Sequence, residues 1–238
     1  MWKNEGYQFK NIRLPANFMT ETIWFVTGNH GKFVEASLEF AKLGIELKQF
    51  HPSTFECIEP QHDDLLEISS AKLNQAVSHL RNIEEEPNVL VEDAGLFIDA
   101  LTGFPGAYSS FVFDSIGLDG ILRLLSHLTS ENPVQLRSLR SASFNAVAML
   151  HFKEEQYIGR GECKGYISMM IKGEQGFGYD PIFIPNDVDL KGESLPPGES
   201  GIQSTHGATF GEISSDEKNN FSHRKKAILE ILKNIDLG

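Results

Sequence analysis

Short apolar segments rich in β-branched and aromatic residues alternate with longer amphipathic segments in the first part of the chain. The predicted elements are, in order, a strand at 22–27, a helix at 32–43, a strand at 45–50, a helix from 63 to 80 and a strand at 88–91. A helix between two strands is long enough to cross over and place them parallel in one sheet. The alternation therefore predicts an α/β fold.

The second half of the chain favours a different arrangement. We predict a helix at 115–128, strands at 141–152, 156–163 and 166–171, a long polar loop at 186–211 and a final helix at 221–235 with Ser222 as its N-cap. Strands that follow one another directly favour antiparallel pairing. We expect residues 1–21 to be an N-terminal extension and residues 22–238 to be a single domain with two lobes.

The charge balance limits the class of ligand. The 238 residues include 33 Asp and Glu but 21 Lys and Arg, so the net charge is −12. A protein held on nucleic acid by phosphate contacts needs a basic surface, and this balance argues against such a protein. A small anionic ligand stays compatible with it, because a local basic pocket or a bound cation reverses the sign of the charge.

Cysteine content and hydropathy indicate the setting. Cys57 and Cys163 are the two cysteines, and neither belongs to a CxxC pair. This excludes a disulfide scaffold and a cysteine-ligated zinc site, and it suits a reducing compartment. The sequence shows neither the apolar run of a signal peptide nor that of a transmembrane helix. We expect a cytoplasmic protein that does not bind membranes.

A glycine-containing loop lies between the first predicted strand and the first helix. Its residues are Thr27, Gly28, Asn29, His30, Gly31 and Lys32. Glycines let an anion approach the backbone, the start of a helix offers free N–H groups, and Lys32 adds a positive charge. The loop does not match the Walker A pattern. On this motif alone, a phosphate site and an ordinary β–α turn are equally good explanations.

The acidic pair Glu92–Asp93 follows the predicted strand at 88–91. Ligands of open α/β sheets bind at the carboxyl ends of strands. Mg²⁺ is commonly held by one or two carboxylates together with substrate phosphates. The pair is therefore a candidate metal site, although a solvated acidic turn is the more usual explanation of two adjacent acids.

An aromatic segment with paired glycines occupies residues 176–181, with the sequence GFGYDP. The glycines leave room for a flat ligand, Phe177 and Tyr179 offer stacking faces, and Asp180 can accept hydrogen bonds. The alternative is an aromatic turn that packs on the core.

Cationic and donor groups cluster at the start of the last predicted helix. They are Lys218, His223 and Arg224. A cation at a helix N-terminus opposes the helix dipole, so helix stabilisation does not explain these residues. This mismatch mildly favours a role in binding.

Taken together, TGNHGK, VEDAGLFIDALTGFPGAYSS, GFGYDP and SHRKKA resemble the signatures of the inosine-triphosphate pyrophosphatases, the HAM1-like family, in order and spacing. Members hydrolyse deaminated purine nucleotides (ITP, dITP and XTP) to the monophosphate and pyrophosphate, require Mg²⁺ and are commonly homodimers. The resemblance implies this activity here. It also implies an elongated mixed β-sheet flanked by helices, in two lobes around a central active-site cleft.

The resemblance further assigns roles to individual residues. Asp93 would bind Mg²⁺ and act as general base, with Glu92 and Glu67 as further metal-site acids and Glu59 as a weaker candidate. Lys72 would add charge beside the phosphates, which Thr27 to Lys32 would bind. The base and sugar would be lined by Phe177, Gly178, Tyr179, Asp180, Lys218, His223 and Arg224. Ala94 replaces a serine of many relatives, so only its backbone N–H could contact phosphate.

Other functions stay open. The Maf-like pyrophosphatases share the architecture and act on other nucleotides, although SHR beside GFGYDP argues against them. A nucleotide sensor without turnover is expected to lack part of the catalytic set, whereas Asp93, Lys32 and Lys72 are all present. A dinucleotide-dependent oxidoreductase would carry GxGxxG after the first strand, which this chain does not.

Overall fold

The computed structural model describes residues 22–42, 44–55 and 57–235, so the extension predicted at 1–21 lies outside the described residues. The strands are Ile23–Val26 (β1), Leu47–Phe50 (β2), Asn88–Ile98 (β3), Pro105–Gly106 (β4), Ser141–Phe152 (β5), Glu155–Ile167 (β6) and Phe183–Pro185 (β7). The α-helices are His30–Ala41 (α1), Leu65–Leu80 (α2), Ser109–Leu124 (α3), Pro133–Leu139 (α4), Ser215–Lys218 (α5) and His223–Asn234 (α6).

These strands form one mixed sheet in the order β2-β1-β3-β5-β6-β7, and β4 pairs with β3. β2, β1 and β3 are parallel to one another. β5, β6 and β7 are antiparallel to their neighbours. Parallel pairing occurs where helices connect the strands, and antiparallel pairing where strands follow directly, which confirms the predicted mixed α/β sheet.

Strand β3 is longer than the sequence predicts. It continues to Ile98 because β5 pairs with it from Val89 to Ile98 and supplies backbone hydrogen-bond partners. The prediction that the strand ends at Glu92–Asp93 is therefore wrong, and both acids lie inside β3.

Other boundaries also differ from the predictions. β6 is one strand where strands at 156–163 and 166–171 are predicted, because β5 pairs with it without a break from Glu155 to Tyr166. It ends at Ile167. α3 begins at Ser109 rather than at residue 115, with non-helical backbone at Gly117. α4 is not predicted. Ser222 is confirmed as the N-cap of α6, since its side chain accepts from the Lys225 N–H.

α1 and α6 pack on one face of the sheet, and α2 packs on the other. On β3, Leu90 belongs to the core beneath α1 and α6, whereas Val91 belongs to the core beneath α2. This is the alternation of a strand, whose successive side chains point to opposite faces. α6 approaches β6 closely because Gly159 and Gly161 face it, and a Cβ on either would overlap the backbone of α6.

The second lobe has its own core, formed by α3, β7 and the far ends of β3 and β5. Buried Arg140 ties α3 to β6, since its guanidinium donates to the carbonyl oxygens of Leu125, Ile167 and Ser168 at 2.7–2.8 Å. Residues 186–211 carry isolated bridges at Val188. Across the described ranges, no helix combines the length and apolar character needed to span a membrane.

Candidate active site

One edge of β3 is open between the two lobes. β1 pairs with β3 only as far as Leu90, and β4 pairs with it from Leu96 onward. In the described part of the chain no strand covers the edge between these points. Lys32 reaches this edge from α1, and its Nζ donates to the carbonyl oxygen of Glu92 at 3.3 Å. The acidic pair therefore lies at an unpaired strand edge.

Asp93 faces α2, which holds both of its carboxylate oxygens. Oδ1 accepts from Lys72 Nζ at 2.8 Å, and Oδ2 lies 3.3 Å from the hydroxyl of fully buried Ser69, which it shares with the Val147 carbonyl oxygen at 3.2 Å. Ser69 and Lys72 are three residues apart on α2 and so share one helix face. Lys72 Nζ also lies 2.6 Å from Glu59 Oε1. One ammonium group thus bridges two carboxylates.

The charge of Lys72 is fixed by these neighbours. Burial alone would lower the pKa of its ammonium group, but the carboxylates of Asp93 and Glu59 outweigh burial and raise the pKa above its ordinary value. Lys72 is therefore a permanent cation beside Asp93. A fixed cation in this position suits a phosphate or a pyrophosphate leaving group.

Glu92 faces the opposite side of the sheet, toward α1 and α6. Its Oε2 lies 3.0 Å from Lys32 Nζ and 3.4 Å from Arg224 Nε. Burial alone would raise the pKa of Glu92, but the two cations outweigh burial and lower the pKa to about 2. Glu92 and Asp93, although adjacent in sequence, do not converge on one point.

Further ion pairs connect Glu92 to the aromatic segment. Arg224 pairs with Glu35 of α1, whose Oε1 lies 3.0 Å from Lys218 Nζ. Lys218 Nζ in turn lies 2.7 Å from Asp180 Oδ2. The structure thereby brings together cations and acids from all four motifs that the sequence singles out.

His223 and Asp180 are both buried beside this network. Burial lowers the pKa of His223 well below its ordinary value, and the neighbouring Arg224 adds to this effect, so the ring is neutral near pH 7. The His223 Nδ1 is buried and has no hydrogen-bond partner among the described residues. Burial also raises the pKa of Asp180, against the opposing effect of Lys218. The His223 nitrogen is a polar group that a ligand could satisfy.

Phe177 joins the aromatic segment to the glycine-containing loop. Its ring centroid lies 4.8 Å from Lys218 Nζ and 5.9 Å from the Arg224 guanidinium carbon. The ring also packs against Gly31, where a Cβ would come within 2.7 Å of it. Tyr179 points elsewhere, since its hydroxyl donates to the Ser109 carbonyl oxygen at 2.8 Å. Phe177, rather than Tyr179, faces Lys218 and Arg224.

The glycine-containing loop forms the start of α1. Asn29 is the N-cap, and its Oδ1 accepts from the Lys32 N–H at 3.1 Å. The Thr27 hydroxyl accepts from the Asn29 N–H at 3.1 Å. Gly28 and His30 are exposed. The free N–H groups of the first helical turn, together with Lys32, provide what an anion needs.

The structure also bears on the metal-site candidates. Within 22–42, 44–55 and 57–235, no three His, Cys, Asp or Glu side chains are grouped closely enough to hold a metal ion. Glu67 is exposed on the first turn of α2, whereas Glu59 and Asp93 both contact Lys72. Two carboxylates that converge on one cation are a donor set that Mg²⁺ uses together with substrate phosphates. Asp93 with Glu59 therefore fits Mg²⁺ better than Asp93 with Glu92.

Sequence reasoning missed two side chains of this site, Ser69 and Glu35. Each lies three residues from a predicted lysine on the same helix, Ser69 from Lys72 and Glu35 from Lys32. That spacing places each on the face of its lysine and was the available signal. The sequence does not show that these faces meet Asp93 and Arg224.

Comparisons with known proteins identify the family of the chain. The Ham1 family model matches residues 23–234. A dITP/XTP pyrophosphatase of Methanopyrus kandleri is 38% identical over 207 residues, which are 87% of this chain and 92% of that relative. One of Saccharolobus solfataricus is 38% identical over 86% of this chain and 88% of its own. The structure of a HAM1 protein from Coxiella burnetii matches with a TM-score of 0.63 and 26% identity, over 89% of this chain and 96% of that one. The chain therefore belongs to the Ham1 family.

Proposed function

We propose that this protein hydrolyses deaminated purine nucleoside triphosphates (dITP, ITP and XTP) to the monophosphate and pyrophosphate, and so cleanses the nucleotide pool. The relatives named above are dITP/XTP pyrophosphatases and are similar over most of the chain. The observation that carries the proposal is the position of Asp93. Asp93 lies in the stretch of β3 whose edge is open, and Lys72 and Ser69 contact its two carboxylate oxygens.

Hydrolysis at the α-phosphorus needs a base for the attacking water and positive charge for the leaving pyrophosphate. Asp93 would accept the proton of that water. Lys72 and Lys32 would bind phosphate oxygens, together with the free N–H groups at the start of α1. The Ala94 N–H would add a further donor. The Leu96 N–H donates to the Ser109 hydroxyl on the β4 side of β3. Backbone N–H groups two residues apart in a strand point to the same edge, so the Ala94 N–H points to the open edge.

The metal would be Mg²⁺, held by Asp93 and Glu59. When bound, it supplies positive charge to the phosphate oxygens. Glu92 and Glu67 stay predictions as further ligands. Comparing the Mg²⁺ concentration for half-maximal activity in Glu59→Gln and Glu67→Gln tests the choice, and we expect a large increase for Glu59→Gln alone.

The base would lie against Phe177, beside Lys218, His223 and Arg224. Adenine carries an amino donor where these purines carry an oxo acceptor. Donors placed for the oxo group would leave an unpaired buried contact with ATP, and such a site can reject the wrong partner by roughly 10⁴-fold.

The test is pyrophosphate release from dITP, XTP, ITP, GTP and ATP, measured in parallel with Mg²⁺. We expect fast release from the first three and little from GTP or ATP. Asp93→Asn should reduce kcat at least about 10³-fold and still bind nucleotide. Turnover of other nucleotides alone would favour the Maf-like alternative, and binding without turnover would favour a sensor. Near-normal turnover by Asp93→Asn would remove Asp93 from the role of base.

The family resemblance also leads us to propose a homodimer in the cytoplasm. Sedimentation equilibrium of the purified protein and fractionation of cells that express it test these two points separately.

A further inference from the structure

His51 adjoins the glycine-containing loop on the side away from β3. β1 and β2 are parallel, with Val26 opposite Phe50, so the residues that follow them meet at one end of the sheet. The Thr27 N–H donates to the Phe50 carbonyl oxygen at 3.1 Å, and the Gln49 side-chain amide donates to the Thr27 carbonyl oxygen at 3.0 Å. These bonds hold the start of the loop beside His51.

Local hydrogen bonds orient the His51 ring and favour one tautomer. Nδ1 accepts from the Ser53 N–H at 3.3 Å and lies 2.7 Å from the Ser53 hydroxyl. A ring nitrogen that accepts a hydrogen bond carries no proton, so the proton of the neutral ring is on Nε2. His51 therefore presents Nε2 as a hydrogen-bond donor.

The Nε2 edge of the ring lies against Gly28. A Cβ on Gly28 would lie 3.1 Å from His51 Nε2, closer than to any other neighbouring atom. Gly28 is not among the glycines with positive φ, so its backbone conformation does not require glycine. A ligand atom that rests on the Gly28 backbone from this side comes within hydrogen-bond reach of Nε2.

We propose that His51 binds the β- and γ-phosphates of the substrate, with Nε2 donating to a phosphate oxygen above Gly28. The inference rests on the proposed function, which places a triphosphate along this loop. β2 lies two strands from β3, roughly 10 Å at the usual strand spacing. Because the α-phosphorus must lie near Asp93 on β3, His51 can reach only the distal part of the triphosphate.

The experiment separates this binding role from the local role of the same ring, which accepts a hydrogen bond from the Ser53 N–H. Asn at position 51 keeps an acceptor for the Ser53 N–H but cannot reach Gly28, whereas Gln places an amide donor near the position of Nε2. His62→Asn is the matched control, because His62 is also exposed and its Nδ1 also accepts from the N–H two residues on. Calorimetry of the full chain at a fixed Mg²⁺ concentration measures binding of inorganic pyrophosphate and of IMP.

We expect His51→Asn to weaken pyrophosphate binding about tenfold, the effect of one hydrogen bond to a charged group, and to leave IMP binding and Tm unchanged. His51→Gln should recover most of the lost affinity, and His62→Asn should match the wild type. Wild-type pyrophosphate affinity in His51→Asn would overturn the inference, as would equal losses for pyrophosphate and IMP in both variants. If the wild type hydrolyses dITP and His51→Asn binds pyrophosphate as tightly as the wild type, only this inference fails. If the wild type binds neither ligand and hydrolyses nothing, the proposed function fails with it.

Discussion

Replacing Glu92 by Gln should lower the free energy of unfolding by about 3 kcal/mol at pH 7. In the folded protein, Lys32 and Arg224 hold the pKa of this buried carboxyl at about 2, against an ordinary value of 4.5. Each pKa unit corresponds to about 1.4 kcal/mol of preference for the charged form. The Gln side chain has nearly the same shape but no charge, so it leaves buried Arg224 and partly buried Lys32 with one carboxylate fewer. Loss of one partner of a buried ion pair has a similar cost, about 3–5 kcal/mol.

The same reasoning fixes how the difference between wild type and variant depends on pH. The folded-state pKa of Glu92 is lower than the unfolded one, so its contribution is complete above about pH 4.5 and is lost as pH falls toward 2. The difference should therefore shrink from about 3 kcal/mol at pH 7 to about 1 kcal/mol at pH 3.

Urea unfolding of both proteins at pH 7 and pH 3, with EDTA present, measures this difference. Glu162→Gln is the control, because the Glu162 carboxylate forms an exposed pair with Lys164 at 3.5 Å, and such pairs contribute about 0–1 kcal/mol. A difference below 1 kcal/mol at pH 7 would refute the reasoning. So would a difference that stays constant on acidification.

Three further substitutions probe other parts of the structure. Ser69→Ala should lower kcat about fivefold with KM unchanged, since it removes a contact to one carboxylate oxygen of Asp93. Ser70→Ala is the control, and equal losses of kcat in the two variants would show that Ser69 does not position Asp93. Arg140→Met should lower the free energy of unfolding, measured in denaturant, by at least about 3 kcal/mol without changing kcat, because it leaves buried carbonyl oxygens unpaired. A decrease of less than about 1 kcal/mol would contradict this. Gly161→Ala should lower Tm and raise KM together, since the methyl group of the alanine would displace the first turn of α6. A KM equal to that of the wild type would show that this turn does not shape the site.

The helices and strands that local pattern specifies were predictable from the sequence. β1 lies close to its predicted limits because it is a continuous apolar run that ends at a glycine, and α2 and α6 do so because each has a helical apolar period and a capping residue. β3 was not predictable beyond Val91. Acidic and small residues at 92–95 are typical of a turn, and the hydrogen bonds that extend β3 through them come from β5, which is distant in sequence.

The candidate site was predictable as a set of motifs but not as an arrangement. The sequence identifies Glu92 and Asp93 as a pair, and their separation follows from the extended backbone of β3, which sends adjacent side chains to opposite faces. Similarly, the sequence identifies Tyr179 as a stacking residue, whereas its hydroxyl is directed to Ser109 in the second lobe. Each correction depends on which secondary structure surrounds the motif, and that is decided by tertiary contacts.

The charges of the two clusters lead to a prediction about the metal. On the α2 face, one cation, Lys72, lies between the carboxylates of Asp93 and Glu59, so this cluster has a net negative charge. On the other face, the cations of Lys32, Arg224 and Lys218 are matched by three carboxylates. In a chain of net charge −12, this leaves little free positive charge for a triphosphate. EDTA should therefore weaken binding of an uncleaved dITP analogue at least about 100-fold, measured by calorimetry. Without the metal ion, the negative Asp93–Glu59 cluster faces the negative triphosphate, and Lys72 alone does not offset both charges. Binding that is equally tight in EDTA would show that the lysines and backbone N–H groups suffice, and that the Asp93–Glu59 cluster does not hold the metal that accompanies the phosphates.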